Sequence, residues 1–264
     1  MNYIQTNKKA WEEAFDHKIN GYGESNYEKL RNDYLPFFHS DVIKKLETID
    51  FKGKKIAQFC CNNGREILSL MQLGAESGFG FDIAENIINQ AKETAAKADI
   101  QNCQFVACDI LEIDDTYHQE FDFILFTIGT LTWFKDLKLL FQKVSTCLKP
   151  GGLILIHDFH PMMNMLPLPD DPAFDESHLN RLVHSYFSTE PWIENEGMGY
   201  ISGEYHSQTF TSFSHTLSSM INHLTEVGIN IQSLDEYDYD VGLTDIYDGK
   251  GYPLSFILLA QKCK

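Results

Sequence analysis

The stretch Ile56-Ala57-Gln58-Phe59-Cys60-Cys61-Asn62-Asn63-Gly64 decides the predicted fold. It begins with a short, mostly apolar run, 56–59, which predicts a buried strand. A polar turn that ends in glycine follows, and an amphipathic helix is predicted from about Arg65 to Gln72. A strand, a turn and a helix in this order are typical of the first unit of an α/β protein with a parallel sheet.

The same alternation of strand and helix continues to residue 156. Four further short apolar runs predict strands, namely Gly78–Phe81, Phe105–Ala107, Phe121–Phe126 and Leu153–Ile156. Two segments between them, Ala84–Ala98 and Leu137–Leu148, place their apolar residues on one helical face. Lys149-Pro150-Gly151-Gly152 predicts a tight turn before the fifth strand. Together they predict a doubly wound, mostly parallel sheet of the Rossmann-like kind.

The remaining segments extend this core. Residues 1–50 are predicted to form a helical N-terminal cap, with a helical pattern over Asp33–Ile49. Residues 161–212 are predicted to form an inserted substrate lid, with strands at Leu182–Phe187 and Tyr200–Phe210. Residues 51–160 and 213–264 form the predicted core. Its last two strands, Ile229–Leu234 and Pro253–Leu259, lack a crossover helix, so an antiparallel final strand completes a seven-stranded sheet. The loop that joins them, which contains Tyr237-Asp238-Tyr239-Asp240, is predicted to be solvated.

The charge balance excludes several classes of protein. The 264 residues contain 21 Lys and Arg against 38 Asp and Glu, a formal net charge of −17, which disfavours nucleic-acid and anionic-membrane partners. The six cysteines form no C-x-x-C pair, so we expect no bound metal and a reducing, cytoplasmic location. The N-terminus has no apolar signal-peptide segment. The strand-like segments of the insertion could pair across a homodimer.

Polar side chains are predicted at the carboxyl ends of the strands, where open α/β sheets bind their ligands. Asp82 follows the second strand and Asp109 follows the third, and Thr127 and Ile128 follow the fourth. A carboxylate suits ribose hydroxyls or an exocyclic amine, because both groups donate hydrogen bonds. Each aspartate could instead cap a helix or turn. The fifth strand ends in His157-Asp158-Phe159-His160, and histidine is suited to proton transfer near neutral pH.

This order of parts resembles the class I S-adenosylmethionine-dependent methyltransferases. Residues 56–64 lie where that family has its motif hydrophobic-x-Asp-hydrophobic-Gly-x-Gly-x-Gly. Gly80-Phe81-Asp82-Ile83 is similar to the ribose-binding motif of the second strand, and Cys108-Asp109-Ile110 is similar to the adenine contact. Lys149-Pro150-Gly151-Gly152 matches the turn before the fifth strand. The chain departs from the motif in three places: Gln58 replaces the acid, and Cys60 and Asn62 replace two glycines.

The resemblance implies a methyltransferase with S-adenosyl-L-methionine as cofactor, S-adenosyl-L-homocysteine as product and a small-molecule acceptor. The implied cofactor-binding residues are Trp11, Cys60, Asn62, Gly64, Asp82, Ile83, Asp109, Ile110, Thr127 and Ile128. We expect Cys60 and Asn62 to contact the cofactor mainly through their backbone. His160 and His157 are the candidate general bases. A nicotinamide-dependent oxidoreductase and a binding protein without turnover are the alternatives; against the first, G-x-G-x-x-G is absent.

Overall fold

A computed structural model describes residues 2–203 and 205–264. Its helices are α1 (Tyr3–Asp16), α2 (Asn26–Asn32), α3 (Ser40–Leu46), α4 (Arg65–Leu70), α5 (Glu85–Ala98), α6 (Leu137–Cys147), α7 (Gly199–Ser202) and α8 (Leu217–Glu226). Its strands are β1 (Lys55–Phe59), β2 (Ser77–Asp82), β3 (Cys103–Ala107), β4 (Phe121–Phe126), β5 (Leu148–Phe159), β6 (Trp192–Glu194), β7 (Phe210–Ser212), β8 (Ile229–Tyr237) and β9 (Ser255–Lys262).

The main sheet has seven strands in the order β3-β2-β1-β4-β5-β9-β8. Strands β1 to β5 are parallel, whereas β9 pairs antiparallel with both β5 and β8. The order reverses between β1 and β4, so the carboxyl ends of these two strands flank the place where such sheets bind ligands. The doubly wound, mostly parallel sheet with a reversed last strand is therefore confirmed.

Both faces of the sheet are buried. On one face, α6 and α8 pack against Phe59, Phe126 and Ile156, and on the other, α3, α4 and α5 pack against Phe123 and Leu155. Successive residues of a strand point to opposite faces. Adjacent side chains at one strand tip therefore enter different environments, which matters for the end of β5.

The structure corrects three predicted elements. The helical pattern over 33–49 is interrupted, because Leu35 has φ 45° and its N–H bonds to the Gln72 side chain, so α3 begins only at Ser40. In the insertion, residues 182–187 form no strand, since the N–H groups of Val183 and His184 bond to the Met165 carbonyl. The predicted strand Tyr200–Phe210 is also wrong, because it starts in α7 and only Phe210 lies in a strand. The strands there are β6 and β7, which pair with each other.

The loop between β8 and β9 is exposed over much of its length, as predicted, but two of its tyrosines anchor it. Tyr247 is completely buried, and its hydroxyl donates to the Pro167 carbonyl oxygen at 2.6 Å. The Tyr239 hydroxyl donates to Asp41 Oδ2 at 3.1 Å, and its ring lies 4.2 Å from that of His39. This loop therefore joins the insertion and the N-terminal segment to the same end of the sheet.

Candidate functional site

The turn after β1 has a left-handed backbone at every second residue. Cys60, Asn62 and Gly64 have φ of 54°, 48° and 74°. Positive φ is uncommon for residues other than glycine, with Asn among the most tolerant. The turn thus has the conformation that a glycine at each of these positions would favour, although only Gly64 is a glycine. Cys60 packs against the α6 face and Cys61 is buried on the other, so the two thiols do not share a pocket.

Asp82 joins the tip of β2 to this turn. Its Oδ2 accepts from the Asn62 N–H at 2.8 Å, and its Oδ1 accepts from the Ala84 N–H at 3.1 Å. Burial raises the pKa of the Asp82 carboxyl. Each carboxylate oxygen can accept a second hydrogen bond, so both retain capacity for the hydroxyls of a ribose. Asp82 thus closes the turn before α5, whose N-cap residue is Ala84, and it remains a candidate ligand group.

Asp109 occupies the matching position after β3. It is half-buried, its Oδ1 accepts from the Leu111 N–H at 2.9 Å, and burial raises the pKa of its carboxyl. No described residue donates to Oδ2, which leaves that oxygen available to a donor such as an exocyclic amine. The next residue, Ile110, is only 3% exposed and packs in the core, so its side chain is not available to a ligand.

The tip of β4 supplies one polar and one apolar group. The Thr127 hydroxyl accepts from Gln58 Nε2 at 2.9 Å, and Gln58 Oε1 accepts from the Ile67 N–H at 3.0 Å. Gln58, which occupies the position of the family's acid, therefore ties β1 to both β4 and α4. Ile128 is 42% exposed at the strand tip, where the flat face of a ligand could cover it. Ile83 is half-buried beside Asp82.

The two candidate bases at the end of β5 are both enclosed. His157 is 3% exposed on the α3 side, its Nε2 has no described partner, and burial lowers its pKa to about 4. His160 is 6% exposed and its Nδ1 accepts from the Met162 N–H at 3.0 Å. Its Nε2 lies 2.9 Å from Glu236 Oε1, at an angle outside that of a hydrogen bond, and burial lowers its pKa. This geometry gives no support to either histidine as general base.

Asp158 is the residue of this segment that the sequence analysis did not select. It is 3% exposed, and its carboxylate accepts from the N–H groups of Gly129 at 2.6 Å, Phe159 at 2.9 Å and Leu131 at 3.5 Å. Desolvation raises the pKa of Asp158 to about 7. The carboxylate thereby holds the loop that follows β4. The sequence feature that points to Asp158 is its position as an acid at the end of a strand, between two histidines that are themselves candidates for proton transfer.

The N-terminal helix and the insertion lie against each other over this end of the sheet. Asn7 exchanges two 2.8 Å hydrogen bonds with the backbone of Thr211, one through each atom of its amide. The Trp11 ring lies edge-on to Trp133 and Phe210, with centroids 5.3 and 5.5 Å away. The Tyr22 hydroxyl lies 3.4 Å from Asn62 Oδ1. Trp11 is thus part of an aromatic contact between α1, the insertion and the loop after β4.

The donor and acceptor groups of this edge fit the predicted cofactor. Asp82 and Asp109 present acceptors to a ribose and an amine, and the turn after β1 presents backbone rather than bulky side chains. No group of three or more His, Cys, Asp and Glu within residues 2–203 and 205–264 is placed to hold a metal ion.

Comparison with known proteins gives the class. Residues 50–196 match a family model described as a methyltransferase domain, and the chain belongs to that family. An uncharacterized protein of Haemophilus influenzae is 21% identical over 236 residues, which cover 84% of this chain and 87% of its own. The chain is accordingly an S-adenosylmethionine-dependent methyltransferase, and the oxidoreductase alternative is wrong.

Solved structures share the fold. An S-adenosylmethionine-dependent methyltransferase from Mesorhizobium loti has 18% identity and a TM-score of 0.60, over 83% of this chain and 96% of its own. One from Clostridium acetobutylicum has 14% identity and a TM-score of 0.62, over 93% and 100%. Geranyl diphosphate C-methyltransferase from Streptomyces coelicolor has 10% identity and a TM-score of 0.60, over 99% and 98%. None of the helices in the described part of the chain has the length and apolar character needed to cross a bilayer.

Proposed function

We propose that this methyltransferase acts on a small-molecule acceptor that it encloses between the insertion (161–212), α1 and the ends of β4 and β5. The observation that carries this proposal is the contact of α1 with the insertion through Asn7, Thr211 and the Trp11 rings. A polymer acceptor needs an open surface, and the contact of α1 with the insertion supports a smaller acceptor. The formal charge of −17 supports an acceptor other than nucleic acid. The six cysteines are all free thiols, which supports a cytoplasmic location.

In this proposal the cofactor supplies an activated methyl group, and the chain positions it. Asp82 accepts from the ribose hydroxyls, and Asp109 Oδ2 accepts from the amine of the base. The turn at 60–64 contacts the cofactor through its backbone, and Ile83 and Ile128 provide apolar contact. The insertion and α1 exclude water and align the acceptor with the methyl group. His157 and His160 serve as packing and capping residues.

The decisive experiment is calorimetry of S-adenosylmethionine binding to an Asp82→Ala variant. We expect at least about 100-fold weaker binding, because a bidentate contact to a charged acceptor and the anchor of the turn are lost together. The affinity of Asp82→Asn, which keeps one acceptor oxygen, should lie between those of the wild type and Asp82→Ala.

The matched control is Asp114→Ala, which removes an exposed turn cap of the same type, Oδ1 to the Thr116 N–H at 2.8 Å. This variant should bind as the wild type does. Unchanged affinity in Asp82→Ala would rule out the ribose assignment.

A further inference from the structure

A small crevice lies beside the loop that follows β4. It has a volume of about 20 Å3, which accommodates one water-sized group. Its wall is mainly apolar, with Leu131, Phe159, Phe213 and Met220, and its polar side chains include Asp158, Asn164 and His215. Residues from the core and from the insertion meet there, so this crevice belongs to the space that the proposed function assigns to the acceptor.

Among residues 2–203 and 205–264, no lysine or arginine lines the crevice. His215 Nε2 lies 2.8 Å from the Phe134 carbonyl oxygen, which assigns the proton to that nitrogen, and burial lowers the pKa of the ring. The histidine is therefore neutral at pH 7. An anionic group in the crevice would have no opposite charge to offset its loss of hydration.

Asp158 has unused capacity to accept a hydrogen bond. Its Oδ1 accepts two short bonds, from Gly129 and Phe159, whereas Oδ2 accepts only one long bond of 3.5 Å from the Leu131 N–H. All three partners are neutral amides. A buried carboxylate without a cationic partner is stabilised most by a charged donor, because charge-assisted bonds are the strongest.

We propose that the methyl acceptor is a small molecule with an amine, and that Asp158 Oδ2 accepts a hydrogen bond from that amine in the crevice. The inference rests on the proposed function, because the crevice matters only if the acceptor binds under the insertion. The crevice receives only the nitrogen of that amine, because its volume matches one water-sized group. Molecules whose group at this position is a carboxylate or a phosphate are rejected.

The test is calorimetry with the full chain loaded with S-adenosylhomocysteine and titrated with benzylamine, benzyl alcohol and benzoate. We expect benzylamine to bind at least tenfold more tightly than benzyl alcohol, and benzoate least tightly. Asp158→Asn should weaken benzylamine binding at least tenfold and leave benzyl alcohol nearly unchanged. Asp175→Asn removes an exposed acid of the insertion and is the control that should change neither.

A pH series on the wild type gives a second readout that needs no variant. Burial raises the pKa of Asp158 to about 7, in the middle of a series from pH 6 to pH 8, and lowers the pKa of His215, the other titratable side chain of the crevice wall. Benzylamine affinity should therefore fall about tenfold between pH 8 and pH 6, as the carboxylate takes up a proton. Benzyl alcohol affinity should not follow this change.

The outcomes separate the two proposals. If S-adenosylhomocysteine binds but benzoate binds as tightly as benzylamine, or benzylamine binding is absent or insensitive to both Asp158→Asn and pH, the amine inference is wrong and the proposed function is untouched. If S-adenosylhomocysteine itself does not bind to the wild type, the proposed function fails first.

Discussion

The turn after β1 and the end of β5 lie at the same edge of the sheet, but different physical constraints act on their residues. In the turn, the backbone conformation is the constraint, and the residues at positions 60, 62 and 64 must tolerate positive φ. At the end of β5, the backbone is ordinary extended strand and burial decides what each side chain does. A turn can therefore lose two glycines and keep positive φ at their positions, whereas adjacent polar residues of a strand point to opposite faces of the sheet.

The opposite faces of β5 give the largest expected effect, a pair of opposite pH dependences. Burial raises the pKa of Asp158 to about 7, so its folded state holds a proton that the unfolded chain releases near pH 4. The stability that it contributes is complete below pH 4 and is lost as pH rises through 7, about 4 kcal/mol in all. Burial lowers the pKa of His157 to about 4, so its unfolded state protonates first, and about 3 kcal/mol is lost as pH falls from 6.5 to 4.

The directions of these two pH dependences are measured by urea unfolding of the wild type, Asp158→Asn and His157→Gln between pH 4 and 8. The free energy of unfolding of the wild type relative to Asp158→Asn should fall with rising pH, and relative to His157→Gln it should fall with falling pH. Each variant serves as the control for the other. Parallel pH profiles for the two variants would mean that these adjacent side chains share one environment.

The next largest effect is expected at Gly64, where a side chain is excluded for a steric reason. A Cβ at this position would overlap the Phe105 ring and approach the Ala91 side chain, and the residue has φ 74°. We expect Gly64→Ala to lower the free energy of unfolding by about 3 kcal/mol, from left-handed strain and overpacking together. Urea unfolding measures this loss. Gly53→Ala is the control, because Gly53 has φ 68° but open space where its Cβ would lie, so this variant shows the backbone strain without the steric overlap. Equal losses in the two variants would contradict the packing role of Gly64.

The smallest effect is expected at Cys60, where the backbone alone is predicted to matter. Cys60→Gly relieves the strain of φ 54° but adds freedom to the unfolded chain, so stability should change by less than about 1 kcal/mol. Affinity for S-adenosylmethionine should stay within about threefold, whereas Cys60→Val should lose about 2 kcal/mol, because branched side chains resist positive φ. Calorimetry measures the affinity of each variant, and urea unfolding measures its stability. A large loss of affinity in Cys60→Gly would show that the thiol itself contacts the cofactor.

Most of the fold could be predicted because its signals are local. The alternation of short apolar runs with helical faces gave five strands in the correct order, and the missing crossover helix before 253 predicted the reversed last strand. The errors lie where the partner is distant in the chain. Residues 182–187 have a strand-like composition, but no neighbouring strand is available and Met165 takes their N–H groups. Leu35 leaves the helical pattern because Gln72 accepts its N–H.

The sequence by itself determined which segments form the core strands, where the turn after β1 lies and that Asp82 and Asp109 lie at the carboxyl ends of β2 and β3, because periodicity, turn composition and strand ends are properties of neighbouring residues. Only the tertiary structure decided that His157 and His160 are enclosed, that Asp158 holds the loop after β4, and that Gln58 bonds to Thr127. Desolvation and these bonds depend on residues that are far apart in the chain, 69 positions for Gln58 and Thr127. The burial that selects each role exists only once the chain has folded.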